Sequence, residues 1–171
     1  MTDLLKDTLA KVNDWIKFAE AKNGANIAFC SATIFAISRM LVSTNNLNQS
    51  VLWYSVFVIS CLVISLLISL LSFVPRLKVP WVRLGECNSN DNLLYFGNAC
   101  KYSGAGYLQA MYTNGLDISK NQKIDLAYSD QIVVNSKIAY IKFKQFDTAI
   151  WFTIIALITP VGALFVAGMR N

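Results

Sequence analysis

The sequence predicts an all-α membrane protein with three transmembrane helices and a cytoplasmic helical bundle. Hydrophobic residues make up 55% of its 171 residues and charged residues only 15%, whereas an ordinary soluble domain carries about 25% charged residues. The apolar residues are concentrated in three long runs. Each run is long enough to cross a hydrocarbon layer of ~30 Å at a helical rise of ~1.5 Å per residue.

The distribution of lysine and arginine predicts how these spans are oriented. Four lysines precede the first run, none lies between the first two runs, nine basic residues lie between the second and third, and one follows the third. Because basic residues are retained on the cytoplasmic side, we expect the N-terminus and the central segment in the cytoplasm and the C-terminus outside. The predicted segments are a cytoplasmic amphipathic helix (1–24), a first span (25–43), an outer turn (44–50), a second span (51–75), a cytoplasmic helical segment (76–147) and a third span (148–169).

Two long helices are predicted to bound the cytoplasmic part and to pack together. Leu5 and Val12 belong to an apolar face with helical spacing, and the four basic and four acidic residues of this helix balance. That balance argues against a purely electrostatic membrane-surface helix. No proline precedes Pro75, so this helix is expected to continue into the first span. A capping-box start at Ser119 and the absence of glycine and proline from there to Pro160 predict a second long helix, continuous with the third span.

The central segment is predicted to contain short helices and turns. Two prolines and a polar stretch break the chain after the second span. Asp91 is expected to cap a short helix that reaches Lys101. Residues 103–106 are expected to form a turn, and Tyr107–Tyr112 another helical piece.

The second long helix carries a narrow polar stripe beside a predicted apolar seam that includes Ile124, Val134 and Ile141. With one cation and several hydrogen-bonding groups, the stripe could bind a small polar anion. A polar seam that sets helix register or oligomeric state fits the same pattern, and such seams are common in helical bundles. The pattern alone favours the second interpretation. The stripe consists of Tyr128, Gln131, Asn135 and Lys142.

Two further groups in the cytoplasmic part have a functional and a structural interpretation. Tyr95 belongs to an aromatic cluster that could stack a nucleobase, although aromatic residues in short packed helices more often form core. Lys22, Asn23 and Gly24 lie where the first helix meets the membrane. They could form a hinge that couples the two parts, or an anchor whose lysine snorkels to the interface.

Four residues of the spans are candidates for a membrane or pore function. Ser65 and Ser69 lie on one weakly polar face of the second span, which suits either helix packing or, after oligomerisation, a pore lining. Arg39 lies near the outer end of the first span and is a functional candidate, or a residue that snorkels to the interface. Pro160 is expected to kink the third span, either as a gate hinge or as packing geometry.

The residue inventory predicts no catalytic residues, metal site or cofactor. The chain has no histidine, which is the commonest general base and metal ligand. Its cysteines, Cys30, Cys61, Cys87 and Cys100, form no CxxC pair and suggest neither a zinc site nor a disulfide framework. Nucleotide-loop, metalloprotease and serine-hydrolase motifs are absent from the sequence. We therefore expect a protein that is not an enzyme.

The ordered motifs of the chain resemble the transmembrane effectors of the Pycsar antiphage systems. The order of a helix, two spans, a cytoplasmic segment and a final span matches, and the resemblance covers nearly the whole chain. The motifs that carry it are Phe18–Gly24 at the start of the first span, Tyr95-Phe96-Gly97 followed by Tyr107-Leu108, and Asp125-Leu126, Gln131-Ile132, Asn135–Ala139 and Lys142 before the last span.

This resemblance implies an antiphage defence effector of the bacterial inner membrane, where the distribution of basic residues would place the C-terminus in the periplasm. Such effectors respond to a cyclic pyrimidine nucleotide, cyclic CMP or cyclic UMP, by impairing the membrane, which causes abortive infection. The expected partners are the nucleotide, the lipid bilayer and further copies in a homo-oligomer, and no nucleic acid polymer. The alternatives are a non-gated scaffold or adaptor and a holin-like pore, with a membrane enzyme a distant fourth.

Overall fold

The computed structural model describes residues 2–44, 48–74, 82–114 and 122–168, the last of these with side chains as far as residue 159. Every regular element in these ranges is helical, which confirms the all-α prediction. The described helices are α1 (Thr2–Ser43), α2 (Gln49–Leu71), α3 (Phe96–Ala99), α4 (Gly104–Thr113) and α5 (Gln122–Gly168).

The chain divides into two compact units. Unit 1 comprises Met1–Glu20 and Pro75–Lys144, and unit 2 comprises Ala21–Val74 and Gln145–Asn171. Helices α1 and α5 each contribute to both units, so the predicted continuity of the two long helices is confirmed. The predicted cap at Ser119 and the expected chain breaks from Pro75 to Pro80 lie outside the described residues.

Unit 1 is built around a core that all four of its helical segments supply. Leu5 and Val12 of α1 are buried, as their helical spacing predicts. They belong to one cluster with Ile132 of α5, Phe96 of α3 and Tyr107 of α4. Burial of this apolar surface is the main favourable term for the packing, at about 25 cal/mol per Å².

The apolar seam predicted on α5 is wrong for most of its length. Ile124 is 49% exposed and Val134 is 37% exposed, although Ile141 is buried. The buried face instead includes Asp125, Ser129 and Ser136, and all three are fully buried. A prediction from hydrophobic periodicity fails here because polar residues occupy core positions, whereas the rule assumes that apolar ones do.

The short central helices differ from the prediction in extent. The helix expected from Asp91 to Lys101 is limited to α3, which has four residues. The turn expected at residues 103–106 is the beginning of α4, because the Ser103 hydroxyl accepts a hydrogen bond from the Gly106 backbone N–H at 3.1 Å. A Cβ at Gly104 would lie 2.8 Å from the Cα of Asp130. Glycine therefore allows the start of α4 to approach α5 closely.

Unit 2 contains helices that are long and apolar enough to cross a bilayer. Among the described residues, α1 and α2 meet this test, and only 11% and 28% of their most apolar windows are buried. Such low burial is unlike the core helix of a soluble domain and suits contact with lipid. The structure thus supports two spans, whereas the sequence predicts three. The described side chains end at residue 159, so they do not include the end of the predicted third span (148–169).

Candidate functional site

The polar stripe on α5 forms hydrogen bonds within unit 1. The Gln131 side-chain N–H donates to Asn135 Oδ1 at 3.0 Å, and Asn135 Nδ2 donates to Asn13 Oδ1 of α1 at 2.7 Å. Tyr128 is partly buried against the core cluster. The Asn13–Asn135 bond joins residues 122 positions apart in the chain. This geometry matches a role in fixing the register of α1 against α5.

Lys142, the cation of the stripe, is buried and paired. Only 6% of the residue is exposed, and its Nζ lies 3.1 Å from the Glu20 carboxylate of α1. An ammonium group removed from water requires such a partner, because an unpaired buried charge costs several kcal/mol, of the order of 3–5. The pair is therefore a second polar link between α1 and α5 in unit 1, near the end of the unit.

The aromatic cluster divides into a buried and an exposed part. Tyr107 is fully buried, its hydroxyl donates to the Leu93 carbonyl at 2.9 Å, and burial raises the pKa of this hydroxyl to about 12. Tyr95 is 48% exposed and lies with its ring centroid 4.8 Å from that of Phe96. Trp15 of α1 also belongs to the exposed part of the aromatic cluster, and the sequence did not indicate it. It is 43% exposed, and its ring centroid lies 5.6 Å from that of Phe96.

A polar cluster in the central segment lies next to an open cavity, and the sequence did not single it out. The Asp91 carboxylate accepts hydrogen bonds from Lys101 Nζ at 2.8 Å, from the Asn88 backbone N–H at 2.9 Å and from the Tyr102 hydroxyl at 3.3 Å. The Lys101 hydrogen bond is the main cause that lowers the pKa of Asp91 from its ordinary value. Asp91, Asn88 and Tyr102 also line a cavity of about 420 Å³ within unit 1.

The residues predicted to couple the two parts begin unit 2. Lys22 Nζ lies 5.1 Å from the centre of the Phe146 ring, a distance at which a cation is attracted to the ring face. Asn23 is fully buried. Gly24 faces Phe73, because a Cβ at this glycine would lie 4.0 Å from the tip of that ring. All three residues thus lie in unit 2, directly after the boundary between the units in the chain.

The weakly polar face of α2 takes part in a buried hydrogen-bond network within unit 2. Asn26 of α1 donates through Nδ2 to both Ser65 and Ser69 of α2, each at 2.9 Å. Thr153 of α5 donates to Asn26 Oδ1 at 3.0 Å, and Ser65 donates to the Ala149 carbonyl of α5 at 2.7 Å. One network therefore links the three helices. This placement of Ser65 and Ser69 matches helix packing, and the sequence did not indicate Asn26 and Thr153 as members of their network.

The other two membrane candidates are Arg39 and Pro160. Arg39 is exposed near the end of α1. Pro160 lies inside α5, and its side chain lies outside the described part. Their roles in a pore or a gate therefore stay predictions from the sequence.

Comparisons with known proteins agree with this architecture. A family model described as PycTM, Pycsar effector protein domain, matches residues 4–168 of the chain. The chain belongs to the Pycsar effector family. Similar to it is the Pycsar effector protein RsPycTM of a Rhizobium species, which is 32% identical over 145 residues, covering 80% of this chain and 78% of that protein. No solved structure matches the chain significantly.

Membership of the Pycsar effector family confirms the resemblance found from the ordered motifs. The match spans both units, because it begins in the first turn of α1 and ends at the last residue of α5. It supports a role as an antiphage defence effector for the whole architecture rather than for one unit.

Proposed function

We propose that this Pycsar effector senses a cyclic pyrimidine nucleotide through unit 1 and impairs the bacterial inner membrane through unit 2. The observation that carries this proposal is that α1 and α5 each belong to both units. A rearrangement of these two helices in unit 1 continues along the same helices into unit 2. No separate linker has to transmit it.

The polar links between α1 and α5 in unit 1 are where such a rearrangement would act. The Asn13–Asn135 hydrogen bond and the Glu20–Lys142 ion pair both join these helices. Each has a discrete geometry, so a shift of one helix along the other breaks it and does not merely stretch it. The nucleotide must bind the active arrangement more tightly than the resting one, because a ligand with equal affinity for both shifts nothing.

The membrane part of the proposal includes all three predicted spans and more than one copy of the chain. Residues 149–159 of α5 continue the apolar pattern of the third span, and Thr153 packs in unit 2 against α1. In the described part of a single copy, the buried polar network holds the three helices together. Damage to the bilayer therefore requires either opening of that network or assembly of several copies.

The experiment that tests this proposal uses purified protein in liposomes loaded with a fluorescent dye. Cyclic CMP, cyclic UMP and cyclic AMP are added separately to vesicles in which the N-terminal side is accessible. The expected result is leakage with one of the pyrimidine nucleotides and none with cyclic AMP. Leakage without any nucleotide would indicate a holin-like pore and overturn ligand gating.

A second arm tests whether the links between α1 and α5 take part. The variant Asn135→Ala removes the hydrogen bond to Asn13 and is expected to change the nucleotide concentration that gives half-maximal leakage. The variant Gln122→Ala removes an exposed carboxamide from the first turn of the same helix and should leave that concentration unchanged. Equal behaviour of the two variants would contradict transmission through this link.

A further inference from the structure

Two cavities in unit 1 lie between the 87–94 segment and α4 and share part of their lining, and we call them together the groove. One has a volume of about 420 Å³ and the other about 380 Å³, and both are lined by Ser89, Asp91, Leu93 and Asn114. Each volume falls within the range of about 300–1,000 Å³ that is typical of small-molecule sites. The groove is separate from the polar stripe of α5, none of whose residues lines either cavity.

The groove offers hydrogen-bonding groups, and its described lining contains no cation. Its polar side chains are mainly carboxamides and hydroxyls, including Asn88, Tyr102, Gln109 and Asn114, and no lysine or arginine among the described residues lines either cavity. A phosphate needs a positive partner or several backbone N–H groups. The described lining therefore offers groups that suit the hydrogen-bonding edge of a nucleobase.

Several of these groups have hydrogen-bonding capacity left within the described part of the chain. Asn114 uses its Nδ2 on the Ala110 carbonyl, which leaves its Oδ1. Asn88 uses its Oδ1 on the Asn90 backbone N–H, which leaves its Nδ2. The exposed Gln109 makes no side-chain hydrogen bond with described residues. The groove thus presents both donors and acceptors, as a base edge requires.

The Asp91 carboxylate lines both cavities and, in contact with a base, would distinguish the two pyrimidines. Asp91 Oδ1 accepts one hydrogen bond, from Lys101, and a carboxylate oxygen can accept two. An ionised carboxylate is only an acceptor. It can therefore accept from the exocyclic amino group of cytosine, whereas uracil has a carbonyl oxygen at that position and would meet it lone pair to lone pair.

From these observations we propose that the groove is the nucleotide site of unit 1 and that it holds the cytosine base of cyclic CMP, with Asp91 as the residue that selects cytosine over uracil. This inference rests on the proposed function and names its site and ligand. The stripe of α5 is a poorer candidate, because Asn135 is bonded to Asn13 and Lys142 to Glu20.

The test is equilibrium binding of radiolabelled cyclic CMP, cyclic UMP and cyclic AMP to the purified full-length protein in detergent. The protein is expected to bind cyclic CMP at least about tenfold more tightly than cyclic UMP, in line with the loss of one charge-assisted hydrogen bond. Gln109→Ala is expected to weaken cyclic CMP binding several-fold. Asp91→Asn places an N–H donor near the base and is expected to abolish or reverse the preference.

Two controls keep the test decisive. Gln122→Ala removes an equally exposed carboxamide outside the groove and should bind like the unchanged protein. Asp91→Asn also removes an ion pair and can affect folding. A second measurement is therefore made on the protein without any substitution in the groove. Cys87 is exposed and lines the groove, whereas the other three cysteines are buried. Cyclic CMP should slow its labelling by a water-soluble maleimide.

The outcomes separate the site from the function. The groove assignment would be overturned if Gln109→Ala bound cyclic CMP with unchanged affinity and cyclic CMP did not protect Cys87 from labelling. The proposed function would then still stand. A preference for cyclic UMP would overturn the role of Asp91. Absence of binding to any nucleotide by folded protein would overturn the proposed function, and this inference with it.

Discussion

Ser65 and Ser60 both lie on α2, but Ser65 forms hydrogen bonds to other helices and Ser60 forms one within α2. Replacing each by alanine therefore compares the contribution of an interhelical hydrogen bond with that of a hydrogen bond inside one helix. The Ser65 hydroxyl is fully buried, accepts from Asn26 Nδ2 and donates to the Ala149 carbonyl. The Ser60 hydroxyl is exposed and donates at 2.7 Å to the Val56 carbonyl of its own helix. We expect Ser65→Ala to destabilise unit 2 and Ser60→Ala to have little effect.

Ser65→Ala removes two interhelical hydrogen bonds, to Asn26 and to the Ala149 carbonyl, and a third polar contact at 2.7 Å with Thr153 Oγ1. The two hydrogen bonds set the size of the expected difference. Hydrogen bonds between membrane helices contribute about 0.6 kcal/mol on average and up to about 1.7 kcal/mol each. Two such bonds give an expected loss of about 1–2 kcal/mol. A serine that bonds back to its own helix contributes little or slightly destabilises, so Ser60→Ala should change the free energy of unfolding by less than about 0.5 kcal/mol.

The assay is reversible unfolding in mixed detergent micelles, followed by far-UV circular dichroism at increasing fractions of denaturing detergent. A double-mutant cycle with Asn26→Ala measures the coupling directly, because residues that share a hydrogen bond show non-additive effects. Ser65 and Asn26 should couple by at least about 0.5 kcal/mol, whereas Ser60 and Asn26 should be additive. Equal losses for Ser65→Ala and Ser60→Ala would refute the network as an interhelical link.

Three further predictions concern unit 1 and are measured by thermal unfolding. Glu20→Gln should lower stability by about 1–3 kcal/mol, because buried Lys142 loses the negative charge of its Glu20 partner, while the glutamate itself is half-exposed. No change would mean that the pair is not formed. Gly104→Ala should lower the free energy of unfolding by about 1–3 kcal/mol, because the added Cβ overpacks against α5. Gly85→Ala should be tolerated, because its Cβ would lie 3.5 Å from a flexible lysine side chain. Tyr107→Phe should lower the free energy of unfolding by about 1 kcal/mol, because the buried Leu93 carbonyl loses its donor. Tyr95→Phe changes an exposed ring and should be neutral. Equal effects of the two variants would contradict the assigned hydrogen bond.

Continuity of the long helices could be predicted because it depends on local features of the chain. The absence of proline before Pro75 and between Ser119 and Pro160 is a direct constraint on helix interruption. Leu5 and Val12 are buried as their spacing predicts, because an apolar face at helical spacing has to be covered. The resemblance to the Pycsar effectors was also correct, because it rested on several motifs in order.

The groove and the buried face of α5 could not be predicted because they depend on packing between distant segments. Asp125 is buried, and its Oδ1 accepts a hydrogen bond from the Thr2 hydroxyl, 123 residues away. No pattern within α5 indicates that partner. Similarly, the sequence predicts Asp91 as a helix cap, but in the structure it pairs with Lys101 beside a cavity. The chemistry of a site formed by loop residues becomes visible only when the loop is folded.

The division of α1 and α5 between two units has a consequence for synthesis of the protein. Unit 1 needs the segment before residue 20 and the segment after residue 122, as the Thr2–Asp125 hydrogen bond illustrates. At a translation rate of about 5–20 residues per second, these segments emerge from the ribosome roughly 5–20 seconds apart. During that interval the apolar face of α1 lacks the α5 segment that covers it in the described fold. A prematurely terminated polypeptide therefore retains α1 and α2, which are long and apolar enough to cross a bilayer, but cannot complete unit 1. Any activity that it had would be independent of the nucleotide sensing that we propose for unit 1.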